Sequence, residues 1–484
     1  MDREYIEQHS ASLPDFFQTR RQFLNRFGTG FGMMGLASLM QNELGSTAQA
    51  APNFSPLAPK NPHFKSKARR VIHIFANGAP SQVDTWDPKP SLQQFDPGRG
   101  TDNSSKPLPN IGGVAFASPI DFQKTGQSGV EVSEIFPEIG KHIDDIAVIR
   151  SMHTDLPAHE VASIMMNTGS LRLVKPSVGS WVTYGLGSEN QNLPGFISLM
   201  PGGQPAGGSE NWRSAFLPGA FQGTPINTRE TRIERLIENI KNNYITQSEQ
   251  RQQLDLLHQL NAVHSMNLKK EEQLEARIQA FEMAYKMQIE ATDAFDISKE
   301  PESVREMYGN TPQGRQMLIA RRLLERGVRF VQAWHGGWDH HANLNNAIRG
   351  RGREIDQPIG AFMTDLKRLG LFEETLIMWG GEFGRTPTRQ LPNANSSFEV
   401  PGRNHNHRAF ASWLAGGNVK GGTTYGSTDE FGYRAVENKV HIHDLHATVL
   451  ALLGFDHEKL TYRYNGRDFR LTDVYGNVVK DIIA

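Results

Sequence analysis

The run VRFVQAWHGGWDHHAN, Val328 to Asn343, joins an apolar, β-prone segment to a glycine pair and then to Trp338, Asp339, His340 and His341. Val328–Trp334 is short, rich in β-formers and closed by Gly336-Gly337, which reads as a strand buried on both faces. Gln316–Arg326 before it reads as a helix ended by Gly327. Asp356–Leu369 after it reads as a helix, with Ile359, Phe362, Met363 and Leu366 on one face and Gly370 past its end. Thr375–Trp379 is the next strand, again followed by glycines and an acid in GGEFGRTP, Gly380–Pro387. Strands alternating with helices imply a mostly parallel sheet covered on both faces. Side chains at the carboxyl ends of such strands converge on one crevice, where ligands bind.

The same alternation extends outward. Arg70–Ala76 (RVIHIFA) is a strand ending at Asn77-Gly78, followed by a polar turn, Ser81–Asp87, that carries Asp84 and Asp87. A Gly/Pro/Ser loop runs to about Gly129, and a helix begins within Val132–Ile139. Ile146–Met152 is a strand, His153–Pro157 a turn, and Ala158–Thr168 a helix closed by Gly169. Phe196–Met200 is a short strand and Pro201–Gly223 an extended surface loop. Between about 228 and 300 the character changes. Ile233, Leu236, Ile237 and Ile240 keep helical spacing, as do Leu274, Ile278, Phe281 and Tyr285, which predicts two or three long amphipathic helices laid on the domain. Asp444 caps a last helix, Leu445–Leu453.

Ahead of the domain, Arg20-Arg21-Gln22-Phe23-Leu24, an apolar Gly-rich stretch and Ala48-Gln49-Ala50 follow the order of a twin-arginine export signal with its cleavage site. The expected organisation is a signal over 1–50, a Pro-rich linker over 51–67 and one α/β domain over 68–484. Removing the signal leaves 434 residues (484 minus 50), enough for a large core and with no membrane span. The absence of cysteine excludes disulfides, thiolate metal sites and a cysteine nucleophile. With 51 basic residues against 52 acidic ones and no basic block, nucleic acid is not an expected partner.

The chemistry gathers in three Gly-rich segments. Asp339 and His341 follow one strand end, Glu382 follows another, and His405 lies in GRNHNH, Gly402–His407. Oxygen and imidazole donors of this kind suit divalent metals. The alternatives are a turn cap for Asp339, for which ligation is favoured, an ion pair with Arg385 for Glu382, and surface positions for His405 and His407. Arg385 offers a planar fork for a phosphate, sulfate or carboxylate. His159 opens a helix after a strand, where backbone N–H groups attract anions; it is a nucleophile, acid/base or ligand candidate, with Thr154 and Ser163 the hydroxyls nearby.

As a set, Ser81-Gln82 with Asp84-Thr85 and Asp87–Pro90, Gly337-Trp338-Asp339 with His341, Gly381–Pro387, Gly402–His405, Leu414–Gly417 and Asp444–Thr448 resemble the secreted bacterial family catalogued as domain of unknown function 1501, over nearly the whole mature chain. That family is placed in the alkaline phosphatase and sulfatase superfamily. The resemblance implies an alkaline phosphatase-like three-layer sandwich with a two-metal site. It matches Asp339, His341 and His405 to metal ligands and His159 to the nucleophile position. It also exposes departures. Glu382-Phe383-Gly384 stands where Asp-His-Gly is usual, and Asn77-Gly78 stands where an Asp-Gly is usual, which leaves Asp84 or Asp87 to replace that carboxylate. No Cys or Ser lies in the context of a formylglycine sulfatase.

The function expected from these features is an exported hydrolase of phosphate or sulfate esters, acting on a small molecule or a polysaccharide. It would use one or two divalent ions (Zn, Ca, Mg or Mn) held by Asp84, Asp339, His341, Glu382 and His405, with His159 and Arg385 catalytic. The rival is a non-catalytic surface or carbohydrate-binding protein on the same fold. Replacing Arg20 and Arg21 by lysine is expected to leave the precursor in the cytoplasm. Normal maturation and export of that variant in a fractionation experiment would show that the twin-arginine machinery is not its route.

Overall fold

A computed structural model describes residues 55–101, 104–236, 246–267, 281–283, 285–286, 293–390 and 401–484. The expected signal over 1–50 lies outside the described residues, as do Ile237, Ile240, Leu274 and Ile278 of the insertion. Nine strands form the central sheet: β1 (Arg70–Ala76), β2 (Ile146–His153), β3 (Phe196–Met200), β4 (Thr224–Asn227), β5 (Phe330–His335), β6 (Thr375–Gly380), β7 (Phe410–Ala415), β8 (Thr423–Tyr425) and β9 (Val440–His441). Their order is β8-β2-β7-β6-β1-β5-β3-β4, with β9 also on β2. Every pairing is parallel except those of β7, which runs antiparallel to both β6 and β2.

The expected doubly covered sheet follows from strand composition. In β1 all seven residues are buried, with Ile72, Ile74 and Ala76 in one apolar cluster and Val71 and Phe75 in the other. This period-two division places a core on each face of the sheet. Helices α1 (His159–Thr168), α2 (Val178–Leu186) and α5 (Ile442–Leu452) contribute to the core that holds Phe75. Helices α3 (Pro312–Glu325) and α4 (Leu344–Arg368) contribute to the other. Helix α1 ends at Gly169 in the left-handed conformation, φ 65°. At the start of α5, Asp444 accepts from the His441 N–H, while the His441 ring accepts from the His443 N–H, completing a reciprocal cap.

Three local expectations are corrected. Helix α4 begins at Leu344, well before the expected Asp356, because burial of Leu344, Ile348 and Ile355 outweighs the low helix propensity of its Gly- and Asn-rich first turns. Asp356 instead caps a different element, accepting from the N–H groups of Glu138 and Ile139 at 2.9 Å each. The segment expected to open a helix over Val132–Ile139 forms a hairpin, Phe122–Thr125 with Val130–Ser133, and only Pro137–Gly140 turns helical. The surface loop after β3 leads into β4, an edge strand that tolerates Pro225.

Because β1, β2, β5 and β6 are parallel, their carboxyl ends share one edge of the sheet. Antiparallel β7 starts at that edge, so the GRNHNH segment before it arrives there too. Above the edge, Gly384–Arg389 and Arg403–Asn406 pair as an antiparallel ribbon with His405 opposite Arg385. Two contacts pin the ribbon down. The Gln82 side chain donates to the Arg385 carbonyl and accepts from its N–H, both at 2.8 Å. Arg403 makes a two-pronged ion pair with Asp84, Nε–Oδ2 2.7 Å and Nη2–Oδ1 2.9 Å, with both side chains fully buried.

A buried charge that loses its partner is destabilising by about 3–5 kcal/mol. Asp84→Asn is therefore expected to lower unfolding stability by an amount of that order, and combining it with Arg403→Met is expected to recover part of the loss. Urea denaturation of the two single variants and the double variant checks this, and a coupling energy near zero would contradict it.

Candidate metal centre

Four side chains meet above the carboxyl ends of β1, β5 and β6. Asp339 and His341 come from the loop after β5. That loop is held by the Trp338 indole N–H, which donates to His335 Nδ1 at 3.0 Å, and by Gly78 at the end of β1. Gly78 has φ 108°, and a Cβ on it would stand 2.7 Å from the Asp339 backbone nitrogen, so only glycine lets the two loops close together. His159 is the first residue of α1, and His405 comes from the ribbon.

Ligand-type atoms of His159, Asp339, His341 and His405 all lie within 4.8 Å of one another. Asp339 Oδ1 is the hub, 3.2 Å from His159 Nε2, 2.9 Å from His341 Nε2 and 3.2 Å from His405 Nε2.

The opposite nitrogen of each ring is engaged. His405 Nδ1–H donates to the Pro157 carbonyl at 2.9 Å, and His159 Nδ1–H donates to Glu382 Oε1 at 2.6 Å. His341 Nδ1–H donates to Gln390 Oε1. Each of these oxygens accepts the Nδ1 proton, which leaves Nε2 as the nitrogen that each ring offers to a ligand. That is the tautomer a metal requires, with an acceptor behind each ring to orient it. His159 Nε2 is buried and makes no hydrogen bond of good geometry. Phe383 packs its ring against both His159 and His405, at centroid separations of 4.9 and 4.8 Å. The two imidazoles also meet each other edge to face, 4.4 Å between centroids, so the three rings form one cluster.

Electrostatics follow from this crowding. Burial alone would lower the pKa of His159, but the carboxylates of Asp339 and Glu382 beside it outweigh it and raise the value to about 9. Burial also favours the neutral acid at Asp339, yet His159, His405 and Arg385 hold it far below the usual carboxylate range. A concentrated negative oxygen facing three imidazole nitrogens is a cation-attracting arrangement.

The structure thus brings together His159, Asp339, His341 and His405 among the residues singled out from the sequence. The other three sit differently. Asp84, expected as a ligand, is committed to Arg403, which the antiparallel ribbon delivers to it, and also accepts from Ser81 Oγ. Glu382 is fully buried beside the cluster, orienting His159 and accepting the Gly78 N–H at 2.9 Å. Arg385, expected to offer a free fork, is fully buried. Its guanidinium donates to the carbonyls of Ala79 (2.9 Å), Gly78 (2.5 Å) and Arg403 (3.3 Å) and pairs with Asp339. Asp87 lies 3.1 Å from Lys89 Nζ. Ser163 Oγ donates to Asn211 at 3.1 Å inside the core, and Thr154 Oγ1 is buried. Gln390 and the Pro157 carbonyl had no sequence signal, since neither residue type advertises such a role.

A family model described as "Protein of unknown function (DUF1501)" matches residues 68–483, and the chain belongs to that family. No curated relative matches it in sequence. Solved structures that align with it include the lipoteichoic acid synthase LtaP from Listeria monocytogenes, at 8% identity over 86% of this chain and 78% of the other, TM-score 0.37. An alkaline phosphatase from the Antarctic bacterium TAB5 aligns at 10% identity over 81% and 99%, TM-score 0.33. The PsFucS1 sulfatase from Pseudoalteromonas sp. aligns at 12% identity over 81% and 68%, TM-score 0.33.

Groups that orient a metal-bound histidine typically contribute about 10–100-fold in metal affinity. Glu382→Gln keeps the shape of the side chain and removes its charge, so it is expected to weaken zinc binding by a factor in that range. Competition titration against a chromophoric chelator reads the effect; an unchanged affinity would mean that Glu382 does not act through His159.

Proposed function

We propose that this DUF1501 protein is an exported, metal-dependent hydrolase of phosphate or sulfate esters, working with a single divalent ion held by His159, His341, His405 and Asp339. The observation that carries this reading is the set of three Nε2 atoms turned onto one carboxylate oxygen, each ring oriented by an acceptor at Nδ1. Three imidazoles and one carboxylate suit zinc and similar borderline ions better than calcium or magnesium, which favour oxygen donors. A single ion, rather than the pair, is favoured because Asp84 is neutralised by Arg403 and Glu382 by its bonds to His159 and Gly78.

When bound, such an ion supplies Lewis-acid polarisation of an ester oxygen and acidifies water. The chain's own groups do the rest. Glu382, Gln390 and the Pro157 carbonyl take the Nδ1 protons of His159, His341 and His405 and so turn each Nε2 toward the ion. Arg385 positions Asp339 through its buried guanidinium, which replaces the expected substrate clamp. With Ser163 and Thr154 buried and His159 turned to the ion, water is the nucleophile in this reading. Asp339 is 43% exposed at its side chain, so the centre is reachable from solvent. Among the described residues no helix is long and apolar enough to cross a membrane.

The reading is tested by measuring the metal content of purified protein, then turnover of p-nitrophenyl phosphate, bis-p-nitrophenyl phosphate and p-nitrophenyl sulfate. Turnover of at least one ester is expected, lost with EDTA, restored by zinc, and absent in Asp339→Ala and His405→Ala. Ester turnover indifferent to chelation, or none from zinc-loaded protein, would overturn it.

A further inference from the structure

A second group of histidines lies on the same edge of the sheet. His153 ends β2 and His441 ends β9, paired in register, with ring centroids 5.2 Å apart. The His441 ring is 5.0 Å from that of His443, and His443 stacks on Tyr475 at 4.9 Å with an interplanar angle of 23°. Asp155 Oδ2 lies 3.4 Å from His441 Nε2. None of these side chains takes part in the metal centre, yet the two groups share a loop. Residues 153–159 carry His153 and Asp155 at one end and the Pro157 carbonyl and His159 at the other. Six residue steps span at most roughly 20 Å of extended chain, so the second group borders the first.

Three loops converge on His441 and His443. The 153–159 loop does so through Asp155. The 170–175 loop begins at Gly169, where a Cβ would stand 3.3 Å from the His443 ring. The 472–477 loop brings Tyr475 onto His443, and Lys175 Nζ ties these last two loops together through Asp473 at 2.8 Å. Of the nine exposed large hydrophobics among the described residues, five lie on these loops: Leu156, Leu173, Val174, Val474 and Tyr475. Tyr475 is 61% exposed, with one face on His443 and the other toward solvent. Burial keeps His153 and His443 neutral, His443 down to about 3, so their rings can both donate and accept at neutral pH. His443 Nδ1 and His153 Nδ1 are buried polar atoms without a partner.

We infer that Tyr475, with His441, His443 and Asp155, forms a saccharide-binding subsite that seats a sugar ring beside the metal centre. A pyranose ring presents an apolar C–H face to an open aromatic ring backed by His443, and its hydroxyls find partners in the more exposed His441 imidazole and Asp155 carboxylate. An acyl chain would leave those polar groups without partners. The inference rests on the hydrolase reading for its meaning, since the subsite would hold the alcohol portion of a saccharide ester, but its test does not.

Full mature protein, in EDTA and in zinc, is titrated calorimetrically with cellohexaose, xylohexaose, chitohexaose and agarohexaose. At least one is expected to bind in both conditions. Tyr475→Ala is expected to weaken that binding about tenfold, the size of one stacking contact, while Tyr475→Phe retains it. The metal content and circular dichroism of both variants confirm that each is folded. Binding of none of the four, or equal binding by Tyr475→Ala, overturns the inference. So does binding confined to dextran sulfate and lost in Arg172→Gln, which would mark recognition of charge through the neighbouring loop arginine. Loss of ester turnover with glycan binding intact would sink the hydrolase reading alone.

Discussion

One carboxylate oxygen organises the molecule's chemistry. Asp339 Oδ1 receives His159, His341, His405 and Arg385, which come from four separate chain segments. Arg385 is fully buried, and a buried guanidinium is tolerable only when a negative partner and hydrogen-bond acceptors surround it. Asp339 supplies the charge, while the carbonyls of Gly78, Ala79 and Arg403 take the remaining donors. Without Asp339, three imidazoles and a cation would face one another across a few ångströms. The strand order makes the meeting possible, because β5 and β6 flank β1 and deliver their loops to the same point.

Around that oxygen the protein spends its polar groups on orientation rather than on direct contact. Glu382, Gln390 and the Pro157 carbonyl each fix one ring, and Phe383 packs against two of them. Rigid, pre-turned donors reduce the ordering that a bound ion would otherwise impose. The glycines serve the same end. Gly78 admits the Asp339 backbone at a distance no side chain would allow, which is why an Asn-Gly rather than a larger pair follows β1.

Much of this was legible in the chain. Strands β1, β2, β3, β5 and β6 fall within a residue or two of where apolar runs and punctuation placed them, since burial on both faces leaves a contiguous signal. His159, Asp339, His341 and His405 were visible because imidazole and carboxylate at strand ends are chemically unusual. What the residue types could not reveal was pairing. Asp84 looked available as a ligand, and only the antiparallel ribbon brings Arg403 to it. Asp356 read as the start of a helix and instead lies within it, capping another element. Arg385 read as an open fork because its acceptors are backbone carbonyls, which carry no mark in a sequence.

The Asp84–Arg403 pair also limits what the centre can hold. A second ion would need a further carboxylate, and the resemblance left Asp84 or Asp87 for that place. Arg403 occupies Asp84 with two short bonds and lies 4.6 Å over the Phe116 ring, while Asp87 is taken by Lys89 and Thr428. Freeing Asp84 would strand a guanidinium in the core, at a cost larger than most surface rearrangements can offset. The same pair holds the ribbon that carries His405. A chain that uses this carboxylate to anchor the strand carrying His405 cannot also offer it to an ion, so the fastening of the ribbon supports the proposed single-ion reading.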